Sequence, residues 1–506
     1  MARSTAIFSG ATGLSRILGL AREIVARSYF GVEGAGINAF TVAFQVPNLV
    51  RALVADAALS GAFVPVFTEL LEKGERARAW RVASSLIWIL LLGLTAITAI
   101  FVLVAPWVMA FFGYTGEDGE LAVTLARILF PIVVLLGVSG VIVGVLNSYE
   151  QFTIPALTPV IGVPQADTED AELYVYAGSI VVGTVIQLLL PLPWLAGLDG
   201  RLRVAIDWRD PAVKRVFVLM LPVTLGLGLI NFTAVIGTFF GARLIDKDLA
   251  PSAIDAAFRI YMLPQGMFSV AVATVLFPAL SRLAARDELA GFRRTVGMGL
   301  RQIAFLLIPA SVVSAVLAEP IVRLVYQRGE FGPDETRVVA GALAAFSLGL
   351  AFNGAMLMLN RAFFGLQSPW TPTAVALVTL IANTALYGLF YRLGIWGIPL
   401  AISVANMFGT VALVVLLRRR LGRLEIADTV RSGLRILVAS IVYGAVAFGV
   451  WWLLDEALGR AFPAQVVSVL GALALGGVAY LFSARLLGVR ELDALLSLRS
   501  RARPAE

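Results

Sequence analysis

Residues 82–112 read VASSLIWILLLGLTAITAIFVLVAPWVMAFF, a run without one charged side chain. About 20 such residues, at roughly 1.5 Å of helical rise each, cover the ~30 Å hydrocarbon core of a bilayer, so this run is long enough to cross one. Comparable runs recur from end to end of the 506-residue chain, which is 59% hydrophobic and 14% charged, with a mean hydropathy of +0.88. Soluble domains carry more charge and less apolar residue, and a soluble core does not repeat unbroken apolar stretches of this length. The pattern is that of an all-α polytopic membrane protein. Spans are expected near 5–30, 37–71, 82–112, 121–147, 172–196, 212–241, 255–283, 296–324, 336–364, 371–391, 396–418, 433–454 and 464–487, with a short apolar stretch at 152–164 as an additional crossing.

Composition also excludes chemistry. The chain has no cysteine and no histidine. Disulfide frameworks, thiolate metal sites and Ser-His or Cys-His catalysis are therefore absent, as is the usual proton switch near neutral pH. No paired-carboxylate site is visible either, so an enzyme, a metal centre and a bound cofactor are not expected. The formal charge of +7 is carried almost wholly by arginine, a planar, permanently charged fork suited to phosphate. Arg16, Arg22 and Glu23 interrupt the first apolar stretch, and no small-residue cleavage site follows. We read it as the first mature span rather than a signal peptide.

Loop charge sets the topology. The segments 73–81, 201–215, 282–301, 418–435 and 485–503 are rich in Lys and Arg, whereas 113–120 and 165–172 are acidic. Basic loops belong on the cytoplasmic side, which places both termini inside and requires a crossing between Glu150 and Glu172. That crossing, Phe152–Val163, contains Pro155 and Pro159 and as a helix would reach only about 18 Å. The count is therefore about fourteen transmembrane helices, with the fifth short or irregular.

Sliding the chain by about 214 residues lays Ala43-Phe44-Gln45 on Ala257-Phe258-Arg259 and brings Phe63-Val64-Pro65 near Leu276-Phe277-Pro278. Each window is followed by a basic loop, so the two run in the same direction. This predicts a parallel repeat of two lobes, a common transporter architecture. The last two spans lie outside the repeat. The expected units are an N-lobe over 1–200, a C-lobe over 201–425, a C-terminal helix pair over 426–490 and a basic cytoplasmic tail over 491–506.

Charged residues inside spans are costly and face cavities, so they mark candidate sites. Arg16 and Arg22 differ by roughly 120° around the first helix and share a broad face. Glu23 can neutralise Arg22 or Arg27, and Arg27 is expected to snorkel near the outer interface. In the second span Pro47 and Pro65 should kink the helix. Arg51 and Asp56 are five apart, a poor spacing for a helical ion pair, so Arg51 should point into a cavity. Arg259 lies at the corresponding place in the second lobe. Arg16, Arg22, Arg51 and Arg259 could then converge on one polar chamber suited to a diphosphate, because arginine forks bind phosphate oxygens in bidentate fashion. Glu319-Pro320 followed by Arg328-Gly329 reads either as a cap and turn at the outer face or as a gate. Asn231 and Asn383 have no carboxylate nearby in sequence and are expected to form interhelical hydrogen bonds.

The stretch Ser15-Arg16-Ile17-Leu18-Gly19-Leu20-Ala21-Arg22-Glu23 resembles the first-helix signature of the MurJ (MviN) lipid II flippases, within the multidrug/oligosaccharidyl-lipid/polysaccharide exporter superfamily. So do Phe44–Arg51 with Ala62-Phe63-Val64-Pro65, and Leu317–Pro320 with Gln327–Phe331. The resemblance covers nearly the whole chain. It implies two six-helix lobes around a cationic cavity and two further helices forming a groove for the lipid tail. Transport would be by alternating access, driven by membrane potential or a coupling cation, in the bacterial cytoplasmic (inner) membrane. Arg16, Arg22, Arg51 and Arg259 match the cavity arginines, and Glu23 matches an acidic first-helix position where relatives commonly carry aspartate. Two departures stand out: Asn38 occupies a position where many relatives have aspartate, and Gln45 replaces a frequent basic residue.

The function that follows is translocation of the lipid-linked peptidoglycan precursor lipid II from the inner to the outer leaflet, its diphosphate held by the four arginines. Glu23, Asn38, Asp56 and Glu319 are candidate gating or charge-pairing residues. Expected partners are lipid II, membrane lipids and cell-wall synthesis proteins, with no nucleic acid. The alternatives are a polysaccharide-unit or drug exporter of the same superfamily and a non-transporting scaffold coupled to wall synthesis. A cation exporter would want carboxylates in its chamber, whereas a shortened fifth span would favour the scaffold.

Overall fold

A computed structural model of the chain describes residues 19–54, 57–149, 169–196, 198–368, 370–422, 426–489 and 491–492. Among these residues every regular element is a helix and no strand occurs. Nine helices are long and apolar enough to cross a bilayer, or ten if one bent pair counts as a single span. Their outward faces are apolar. On the long helix Arg76–Phe111, Ile100, Leu103 and Trp107 are 60%, 69% and 71% exposed. Water would not leave such a stripe uncovered on a monomeric soluble protein, whereas lipid solvates it. This is a multi-pass membrane protein.

The chain separates into two compact units, Met1–Ser252 and Ala253–Glu506. In the first, α1 (residues 19–30) leads through a short turn into α2 (Ala35–Val54) and α3 (Ala57–Glu72). Of the span expected at 37–71, Pro47 lies inside α2 and Pro65 inside α3. Next come α4 (Arg76–Phe111), α5 (Glu117–Leu129) and α6 (Ile132–Ser148), with Pro131 at the α5–α6 junction, where it has no N–H to donate. After these are α7 (Glu169–Leu189), the single turn α8 (Leu192–Leu195) and α9 (Pro211–Phe240), which packs on α2 and α3 and ends in a π-helical turn, Gly241–Ile245. The short crossing expected at 152–164 lies outside the described residues.

The second unit is likewise a succession of helices. A broken helix comes first: α10 (Ala250–Pro264, whose first residues fall in the first unit), a π turn at Gln265–Ser269, and α11 (Val270–Ala285). Pro264 cannot donate to the carbonyl of Ile260, and the adjoining π turn is a usual accommodation of such a defect. The long helix α12 (Leu289–Val316), the short α13 (Ala318–Tyr326) and a bent pair, α14 (Pro333–Ser347) and α15 (Leu350–Gly365), follow, the pair bent by 44°. At the bend, a Cβ on Gly349 would lie 2.7 Å from the Ser403 Cα, so only glycine lets the neighbouring helix approach so closely. That neighbour is α17 (Gly397–Leu421), preceded by α16 (Trp370–Phe390). The chain allots 366–396 to the passage from α15 to α17 but only 149–168 to the passage from α6 to α7. Finally α18 (Ile426–Leu458) and α19 (Phe462–Leu486) form an antiparallel hairpin packed on α12.

Ion pairs tie that hairpin down at both ends. Arg323 of α13 reaches Asp455 of α18 at 3.5 Å, and Arg301 of α12 reaches Glu491 at 3.1 Å, with Arg323, Asp455 and Glu491 largely buried.

Candidate binding site

The first-unit site is built on α1 and α2. Glu23 and Arg27 stand one helical turn apart on the same face, and Arg27 Nε donates to Glu23 Oε1 at 3.2 Å. Both side chains are nearly fully buried, at 7% and 3% exposed. Arg27 therefore does not snorkel at an interface as expected from its position near the helix end. A nearby carboxylate at the favoured spacing keeps it inside. Arg22 precedes Glu23 by one residue, about 100° around the helix, and so lies off this face. It is half-buried, and its Nε is shielded from solvent with no hydrogen-bond partner among the described residues. Buried donors are nearly always satisfied by protein, water or a bound group, so this N–H is available to a ligand oxygen.

On α2, Arg51 is oriented by Asn48 one turn earlier, donating from Nε at 3.0 Å and from Nη2 at 2.8 Å to its Oδ1. Arg16 and Asp56 lie outside the described residues. In the second unit, Arg259 Nε donates to Asp255 Oδ2 at 2.9 Å, again across one turn of helix. Asn48 and Asp255 were missed by sequence reasoning, which had left the partner of Glu23 open between Arg22 and Arg27, although the signal was present. Each forms a pair three or four residues apart within one helix, visible as N-x-x-R, D-x-x-x-R and E-x-x-x-R.

Asn38 is fully buried at the acidic-loop end of the first unit. Its side-chain NH2 faces the carbonyls of Val32, Gly34 and Asp248, while its Oδ1 accepts the Ser252 N–H at 2.8 Å. Thr41 and Ser252 hydroxyls meet at 2.9 Å, and the Gly34 N–H reaches the Asp248 carbonyl at 2.8 Å. Nearby, Tyr114 donates to the Lys247 carbonyl and Lys247 pairs with Asp118. Asn38 pairs with no charge. It is an amide because its surroundings present carbonyls, which an ionised carboxylate would repel and an NH2 satisfies.

Glu319 opens α13 and accepts from Arg323 at 2.6 Å, with Asp455 on the other side of the guanidinium. Of the two readings open for it, cap and turn or gate, the pairing favours a structural role, although α13 has no side-chain cap hydrogen bond at its start. Asn383 is buried, but its Oδ1 finds no hydrogen-bond partner among the described residues, so the expected interhelical bond is not formed there. Among the described residues no three acidic side chains gather as a metal site would require.

The sequence profile of the family described as Lipid II flippase MurJ matches residues 26–469. The chain belongs to the MurJ family. It is 30% identical over 521 residues to the probable lipid II flippase MurJ of Vibrio cholerae, covering 97% of each chain. It is also 30% identical over 435 residues to the lipid II flippase MurJ of Burkholderia cenocepacia, covering 83% of this chain and 84% of that one. Among solved structures, a MurJ in an inward closed conformation superposes with a TM-score of 0.77 at 23% identity, covering 95% of this chain and 98% of that one. A multidrug resistance MATE family transporter of the MOP superfamily, in an inward-facing conformation, superposes at 0.67 with 18% identity, covering 81% of this chain and 95% of that one. The latter share the fold. The sequence identity within the MurJ family separates this chain from them, and it is a family of transporters rather than enzymes.

Proposed function

We propose that this chain translocates lipid II from the inner to the outer leaflet of a bacterial cytoplasmic membrane by alternating access. Arg16, Arg22, Arg51 and Arg259 hold the diphosphate. The observation that carries this assignment is the buried Arg22 Nε without a hydrogen-bond partner among the described residues, beside a carboxylate, Glu23, that is bonded to Arg27. A phosphate oxygen is the acceptor that such a donor lacks, and a low-dielectric surrounding strengthens the contact.

The architecture is fourteen crossings, with a six-helix N-lobe over 1–200, a six-helix C-lobe over 201–425, the helix pair 426–490 and a basic tail at 491–506, both termini cytoplasmic. The alternation of basic and acidic loops supports this arrangement. In this reading the chamber opens to the cytoplasm. An inside-negative potential favours outward movement of an anion by about 2.3 kcal/mol per charge per 100 mV, which makes the potential a sufficient drive without a cation site.

The test is complementation of cells depleted of their own flippase, with lipid II accessibility measured in each leaflet. Arg22→Ala and Arg259→Ala should each fail to restore outer-leaflet lipid II while accumulating to normal levels. Normal growth with both variants would remove the arginines from substrate binding.

A further inference from the structure

Between α8 and α9, residues 198–210 run without helix across the first turns of α4. The segment is pinned along its length. The backbone N–H groups of Arg203 and Asp207 donate to the buried hydroxyls of Ser84 and Ser85 at 3.1 and 3.0 Å. Gly200 lies so close to Trp80 that a Cβ would fall 2.1 Å from its ring. At one end Asp199 pairs with Arg76 at 3.0 Å, and at the other Asp210 takes both Nε and Nη2 of Arg78.

A segment held this firmly nonetheless exposes its best apolar side chains. Val204, Ile206 and Trp208 alternate along it and are 80%, 56% and 55% exposed. The Trp208 ring sits 5.3 Å from that of Phe217 on α9, and the bilayer-facing Val218 and Leu221 follow on the next turns, 69% and 56% exposed. The apolar row therefore continues the lipid-facing surface of α9. Interleaved with it are Arg201, Arg203 and Arg209, all exposed and without an ion pair among the described residues. The carboxylates that could neutralise them are engaged: Asp199 and Asp210 with Arg76 and Arg78, and Asp207 as acceptor for the N–H groups of Arg209 and Asp210.

We propose that residues 201–209 form an interfacial strap that seats Val204, Ile206 and Trp208 at the headgroup boundary and binds anionic phospholipid headgroups through Arg201, Arg203 and Arg209. Tryptophan favours that boundary, and each arginine near an anionic surface adds to the attraction. A protein partner is the less favoured occupant, because the row is continuous with a surface that lipid already covers.

The chain has no cysteine, so Val204→Cys provides a unique site for a nitroxide label. The full-length labelled protein is reconstituted into vesicles of phosphatidylcholine, with or without phosphatidylglycerol. Collision rates are then measured with oxygen and with a water-soluble nickel chelate. With phosphatidylglycerol, the label should be reached by oxygen and shielded from the chelate. A control label at the exposed Arg286→Cys should show the reverse. Adding Arg201→Gln, Arg203→Gln and Arg209→Gln should shift the seating equilibrium on the order of a hundredfold toward water, at about 1 kcal/mol for each charge. The chelate reaching position 204 as freely as position 286 would overturn the proposal, leaving the row open to a protein. So would immersion that neither the anionic lipid nor the loss of the three arginines changes.

Discussion

Asn38 and Ser252, 214 residues apart, meet through a 2.8 Å hydrogen bond from the Ser252 N–H to the Asn38 Oδ1. The other face of the same amide serves the carbonyls of Val32, Gly34 and Asp248. One side chain thus fixes the turn before α2 and the turn before α10 together.

Asn38→Asp should be destabilising here even though relatives resembled in sequence carry aspartate at this position. An ionised carboxylate would face three carbonyl oxygens and lose the donor they need, at about 1–3 kcal/mol for each buried group left unsatisfied. The melting temperature in detergent should fall, and the deficit should narrow as the pH is lowered, since a protonated carboxyl regains one donor. A variant that melts like the parent at neutral pH would mean that the amide is not the link.

The Glu23–Arg27 pair predicts a double-mutant signature. Glu23→Gln or Arg27→Met alone leaves a buried charge without this partner and should cost about 3–5 kcal/mol. Glu23→Gln with Arg27→Met removes both charges and should recover most of the loss. Thermal melting of the four proteins measures the coupling, which additive effects would contradict.

Asp255 is half of a partly exposed pair across one turn, so Asp255→Asn should change stability by no more than about 0.5 kcal/mol. Its effect should be on the ligand, because the carboxylate competes with phosphate for Arg259. Binding of a labelled lipid II analogue should tighten in Asp255→Asn and be lost in Arg259→Ala. Unchanged binding in both would place Arg259 outside the site.

Acid should release the 198–210 segment. Bonding from Arg78 holds the Asp210 carboxyl below its ordinary range, aided by the Ala212 N–H, and the Tyr149 hydroxyl, with Arg76, does the same for Asp199. A carboxyl whose folded pKa lies below its free value of about 3.9 stabilises the fold fully above that pH and loses the contribution as pH falls through the folded value. Protection of the Arg203 and Asp207 amides, corrected for their intrinsic exchange rates, should therefore be flat down to about pH 4 and fall below it. In Asp210→Asn protection should be lower above that pH and converge with the parent in acid.

Much of the fold was legible because membrane burial is a property of composition along the chain. The run 82–112 identified α4. The arginines could be found for the same reason, as charges in apolar runs. Their partners were harder to see. Arg27 looked like an interfacial residue until Glu23 was found bonded to it, and Asn38 looked like a missing carboxylate until its carbonyl neighbours were in place. The 201–209 segment was visible only as a basic loop, because nothing in its sequence shows that Ser84 and Ser85 hold it.

The sequence by itself determined that this chain crosses a membrane many times and that arginines sit within its apolar runs. Those properties follow from the cost of exposing polar groups to lipid, which is paid residue by residue and so is written locally. Only the tertiary structure decided that Glu23 belongs to Arg27, that Arg22 Nε has no hydrogen-bond partner among the described residues, and that Asn38 closes on Ser252. Hydrogen bonds and ion pairs depend on directions and on distances of a few ångströms between side chains. Packing sets those quantities, and no local pattern specifies them.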